Sequence, residues 1–114
     1  AQALRPDEED YFVLKPKHSG FFSTALDTLL TYLKVNTVIL TGLTGDICVL
    51  FTANDAYMRD FHLVVPSDCT ASISPEENEH ALRQMGTSLK ADVTPSTELD
   101  LRALWHRAHD QGGE

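Results

Sequence analysis

The chain has 114 residues, 42% of them hydrophobic and 8% aromatic, which suits one small packed domain and is too short for two ordinary ones. Acidic residues number 17 against 9 basic, and the net charge of −8 argues against a nucleic-acid or anionic-membrane surface. There is no run near the roughly 18 apolar residues of a membrane span, no signal-peptide pattern, and with two cysteines no disulfide framework, so a reducing cytoplasm is the expected home.

In chain order, "ALRPDEED" (3–10) is acidic and carries proline, and "DQGGE" (110–114) has nothing to bury. Residues 1–9 and 110–114 therefore read as loose ends of a single domain over 1–114. "YFVLK" (11–15) reads as a strand. Ser23 is placed to cap a helix whose Leu26, Leu29, Leu30 and Leu33 recur at helical spacing. "TVILT" (37–41) is a continuous β-type apolar run, the pattern of a strand buried on both faces. "DICVLFTANDAYMRD" (46–60) sets Ile47, Leu50, Phe51, Tyr57 and Met58 on one stripe of a helix, and "HLVVP" (62–66) is another buried strand. In "SPEE", Ser74 is the N-cap, Pro75 fits the first helical position and Glu77 completes a capping box. That helix buries Ala81, Leu82, Met85 and Leu89. "ADVT" (91–94) is a short strand, and Thr97 is placed to cap a last helix with Leu101, Leu104, Trp105 and Ala108. Alternating strands and helices of this kind build an open parallel α/β sheet, and neither an all-helical nor an all-β fold fits them.

Ligands of such sheets bind beyond the carboxyl ends of the strands. That edge holds Lys15 to Gly20, Thr41 to Cys48, and Ser67 to Ser72. Cys48 sits in "TGLTGDICV", where a strand gives way to a helix and where Gly42 and Gly45 permit an unusual backbone path. A lone cysteine there is more often a small buried packing residue than a nucleophile. A partner changes that balance, because an ammonium and a helix N-terminus both favour the thiolate, the reactive form. Lys15, ending an apolar strand at the same edge, is the candidate partner. Lys17, in a loop after Pro16, reads as a solvated charge.

These residues resemble a known family. "LKPKHSGFFSTALDTLL" followed by "VILTGLTGDICV", then "TANDAYMRD", "VVPSDCTAS" and "EENEHAL", is similar to the isochorismatase-like cysteine hydrolases, which include nicotinamidases, carbamoyl amidohydrolases and ureidoacrylate hydrolases. The likeness covers about residues 10 to 98, with the lysine 33 residues ahead of the cysteine. It implies a three-layer α/β/α fold around an open, Rossmann-like parallel sheet of order 3-2-1-4-5-6. It further implies a nucleophile at Cys48, a catalytic lysine at Lys15, and a cis peptide between Leu43 and Thr44. The oxyanion hole would be the N–H groups of Thr44 and Cys48. Gly45 departs from the family, where threonine is common, and is expected to loosen the turn. The family's third catalytic residue, an aspartate ending its first strand, has no counterpart here, since Asp7 and Asp10 lie in the acidic lead-in. Two further strands precede the lysine strand in the family, so an N-terminal segment of the same protein is expected to complete the sheet.

The activity so implied is hydrolysis of a small-molecule amide, carbamoyl or ureido C–N bond through a Cys48 thioester, without a cofactor. A homo-oligomer is the expected assembly. A vinyl-ether hydrolase on the same fold needs no nucleophile, and Cys48 argues against it. A non-catalytic interaction protein would carry an unreactive Cys48. A nucleotide-binding module lacks its phosphate loop, since neither GxGxxG nor GxxxxGK[ST] occurs. Cys69 reads as a buried spectator. His18 and Phe21 are candidate pocket residues, whereas His62, His80, His106 and His109 have no metal-ligand spacing with one another.

Overall fold

Helix α1 (Leu26–Leu33) packs Leu26 and Leu30 against the core, while Leu33 stands exposed. Its entry is held by Thr24 rather than by Ser23: the Thr24 hydroxyl accepts from Leu26 N–H and donates to the Gly20 carbonyl. The computed structural model describes residues 2–112. A left-handed Lys34 ends α1. Strand β1 (Thr37–Ile39) follows, then a kink, then β2 (Gly42–Leu43). Gly42 makes the kink possible, because its φ of 115° is a conformation that side chains with a Cβ rarely adopt.

β1 pairs in parallel with β3 (His62–Val64), Val38 opposite Leu63. β2 pairs in parallel with β4 (Thr70–Ala71). Leu40 N–H to Val64 O and Gly42 N–H to Cys69 O carry the pairing across the kink. Beyond β3, a single parallel bridge joins Val64 to Asp92. The result is the expected parallel α/β arrangement, with β1, β3 and residue 92 side by side in chain order.

Helix α2 (Leu50–Met58) is entered through a π-helical turn, Gly45–Val49. The wider turn changes which face is buried. Val49, Ala53 and Ala56 go inside, while Phe51, Tyr57 and Met58 of the expected stripe stand exposed. The two alanines share one core with side chains of α3 (Pro75–Ser88). That helix starts as its sequence dictates, with Pro75 in its first turn and Ser74 Oγ accepting from Glu77 N–H at 3.2 Å. Its Ala81, Leu82 and Met85, with Leu89 just beyond, meet Phe21, Leu63 and Val65 in the main core, where Met85 is fully buried.

Three further expectations are corrected. Residues 11–15 form no strand: Tyr11, Phe12 and Leu14 are exposed, Leu14 at 92%. An isolated strand leaves its backbone groups without partners, and among the described residues no strand lies beside this one. For the same reason β1 is only half-buried, its edge away from β3 being open, and Ile39 is 47% exposed. The last helix, α4 (Leu101–Gly112), is capped by Asp100, whose carboxylate accepts from Ala103 N–H at 3.0 Å, rather than by Thr97, which lies in a short 3₁₀ turn. α4 therefore extends into the expected loose end, of which residues 113–114 lie outside the described residues, as does residue 1 of the other end. Among the described residues no helix is long and apolar enough to cross a membrane.

Candidate active site

Cys48 lies in the π-helical turn immediately after β2, at the carboxyl end of the parallel strands. Thr44 precedes the turn in extended conformation, and its carbonyl accepts from Ile47 N–H at 3.3 Å and Val49 N–H at 3.0 Å. These bonds fold the backbone back between strand and helix, with Cys48 half-buried on the turn. The Leu43–Thr44 peptide bond is cis, as the resemblance implies.

Lys15 reaches this thiol from the other end of the site. Its Nζ is 3.5 Å from Cys48 Sγ and 3.5 Å from the Lys17 carbonyl oxygen. Lys17 thus supports Lys15 through its backbone, and its own side chain lines a neighbouring cavity. His18 Nδ1 stands 4.0 Å from the same sulfur, its ring edge-on to Phe51 at 5.5 Å between centroids. Beyond His18 a cavity of about 490 Å³ is lined by Phe22, Phe51, Asn54 and Asp55. Phe21, the other candidate pocket residue, faces inward. It packs against Phe61 at 6.2 Å between ring centroids, and the Arg59 guanidinium lies 4.8 Å from its own centroid. Phe22, next in sequence, lines the cavity instead.

Thr52, which the sequence did not single out, holds the two halves of the site together. Its hydroxyl donates to Cys48 O at 2.7 Å and accepts from Gly20 N–H at 2.9 Å. A threonine four residues after the cysteine on a helix was the available signal, since its hydroxyl reaches back one turn. On the other side of the turn, Asp46 N–H donates to Ser72 Oγ at 3.2 Å. One carboxylate oxygen of Asp46 is buried and has no hydrogen-bond partner among the described residues. Cys69 lies elsewhere, its sulfur 3.6 Å from Asp68 Oδ1. Among the described residues no cluster of His, Cys, Asp and Glu suited to a metal ion occurs.

A parallel α/β frame that sets a thiol against an ammonium beyond its strand ends defines the general class. The particular family follows from comparison with known proteins. The isochorismatase domain model matches residues 1–98, and the chain belongs to that family. It is 53% identical over 96 residues to the uncharacterized isochorismatase family protein YaaI of Bacillus subtilis, covering 84% of this chain and 53% of that protein. Ureidoacrylate amidohydrolase RutB of Methylorubrum extorquens is 36% identical over 86 residues, 75% of this chain and 35% of its own length. The crystal structure of N-carbamoylsarcosine amidase from Thermoplasma acidophilum superposes with a TM-score of 0.76 at 35% identity, covering 88% of this chain and 56% of that one. The chain thus spans about half or less of the length of these relatives.

Proposed function

We propose that this chain carries the nucleophile half of a cysteine hydrolase that cleaves a non-peptide C–N bond in a small amide, carbamoyl or ureido compound. One observation carries the reading: Lys15 Nζ lies 3.5 Å from Cys48 Sγ across 33 residues of sequence, in a chain whose relatives include proteins named as amidohydrolases. The ammonium favours the thiolate, and the thiolate is the nucleophile.

The Cys48 thiolate attacks the carbonyl carbon, whose oxygen becomes an oxyanion held by the N–H groups of Thr44 and Cys48. Collapse of the adduct breaks the C–N bond, and the departing nitrogen takes up the proton that the thiol gave. Water then attacks the thioester, returning the thiol and releasing the acyl part as an acid. The proton moves through a carboxylate that, on this reading, a preceding segment of the same protein supplies. Three features of the described residues support such a segment: the open edge of β1, the exposed Tyr11, Phe12 and Leu14, and the buried oxygen of Asp46 that has no hydrogen-bond partner among them. Buried polar groups in finished structures find partners, and open strand edges are covered or paired.

The test is ammonia release by the complete protein from nicotinamide, carbamoyl and ureido substrates. Cys48→Ala and Lys15→Ala are expected to abolish turnover and Lys17→Ala to retain it. Full turnover by Cys48→Ala would overturn the covalent mechanism.

A further inference from the structure

We infer that Asn78 is a positioning residue for the nucleophile turn, acting through Ser72 and through the space at Gly45. The inference rests on the hydrolase reading above for its consequence in turnover, although the geometry stands apart from it. Asn78 lies in the first turns of α3, four residues past the Ser74 cap, where its side chain leans back toward the helix start. There it meets the turn that carries Cys48.

The hydrogen bonds run in one direction. Asp46 N–H donates to Ser72 Oγ at 3.2 Å, and that hydroxyl donates to Asn78 Oδ1 at 2.8 Å. Asn78 Nδ2 in turn donates to Thr70 O at 3.3 Å and Thr70 Oγ1 at 3.4 Å. With its N–H₂ committed to a carbonyl, the amide has its oxygen left for Ser72, and the Ser72 proton is therefore directed away from Asp46. The nucleophile turn is thus tied to β4 and α3 at a residue two positions from Cys48.

Gly45 completes the arrangement. A Cβ at this position would collide with Asn78 Oδ1 and stand 3.2 Å from Ser72 Oγ. The residue is buried, so an added methyl would have to push the Asn78 amide out of its bonds. Gly45, expected from the sequence to loosen the turn, has a packing role here. It is the gap into which the Asn78 latch fits. A glycine here and an asparagine there are one device, and a shift of the turn by about 1 Å is enough to cost on the order of a hundredfold in a reaction that depends on alignment.

The measurement is the rate of Cys48 alkylation by iodoacetamide at fixed pH in the complete protein carrying Cys69→Ser, expressed per titrated thiol. Asn78→Ala and Ser72→Ala are expected to slow it about tenfold or more, while Cys48 still titrates to one thiol per chain. Ser72→Thr, which keeps the hydroxyl, should recover most of the rate lost in Ser72→Ala. Gly45→Ala should be slow, and Gly45→Ala combined with Asn78→Ala no slower than Asn78→Ala alone. On a hydrolysed amide, kcat should fall with KM little changed. A parental rate per thiol in Asn78→Ala, or additive losses in the double variant, would overturn the inference. Should Asn78→Ala not fold, Asn78→Asp removes the donor to Thr70 and answers to the same criteria. Hydrolysis surviving in Cys48→Ala would defeat the covalent mechanism and leave the alkylation result standing.

Discussion

Cys48 and Cys69 carry the same thiol in opposite electrostatic surroundings. Lys15 Nζ lies 3.5 Å from the first sulfur, and the second donates to the Asp68 carboxylate at 3.6 Å. An ammonium favours the thiolate, and a carboxylate opposes it. Limiting iodoacetamide at neutral pH should therefore label Cys48 in preference to Cys69, which peptide mapping of the alkylated protein reads directly. Equal labelling, or preference for Cys69, would show that the lysine does not set the thiol's reactivity. Cys69 read as a buried spectator and is half-buried, whereas Cys48 and Lys15 stood out in the sequence from their place at the ligand-binding edge. Asn78 and Thr52 did not, since their importance comes from what their side chains bond across the fold, and a single chain of letters does not print those partners.

Among the elements, the segment after Lys15 and the helix after Cys48 are joined through Thr52, whose hydroxyl bonds both Cys48 O and Gly20 N–H. Thr52→Val keeps the shape and removes the hydroxyl. It leaves a partly buried N–H without its acceptor, at a cost of about 1–3 kcal/mol in stability. Denaturant unfolding should show a lower midpoint at unchanged slope, and a midpoint equal to the parent's would contradict the bridging role. Helix α3 and the strands β1 and β3 were legible in the sequence, because capping chemistry and continuous β-type runs act locally. The buried face of α2 was not, since a π-helical entry shifts the register that a regular period assumes. Residues 11–15 misled for another reason: their apolar pattern specifies a strand only in the presence of a neighbouring strand.

At the scale of the molecule, two carboxylates are held by the hydroxyl and N–H groups of residues that follow them in the chain. The Ser96 hydroxyl and N–H donate to Asp68 at 2.6 Å and 2.7 Å and hold its carboxyl below the ordinary aspartate range. The Thr94 hydroxyl and N–H do the same for Asp92. A carboxyl with a lowered folded-state value stabilises the fold above its unfolded value and loses that contribution as pH falls through the folded one. The stability lost on Ser96→Ala should therefore be present at neutral pH and shrink below about pH 4. A pH-independent difference in unfolding midpoints would contradict this. Leu33, Val35, Ile39, Leu101, Leu104 and Trp105 line an apolar cavity of about 760 Å³ beside β1.

Covalent acylation of Cys48 is read by mass spectrometry of the complete protein, acid-quenched during turnover of a substrate that releases ammonia. A mass gain equal to the acyl part of the substrate is expected, located on the Cys48 peptide and absent from Cys48→Ala. Steady ammonia release with Cys48 unmodified, in a protein whose Cys48→Ala variant remains active, would contradict it.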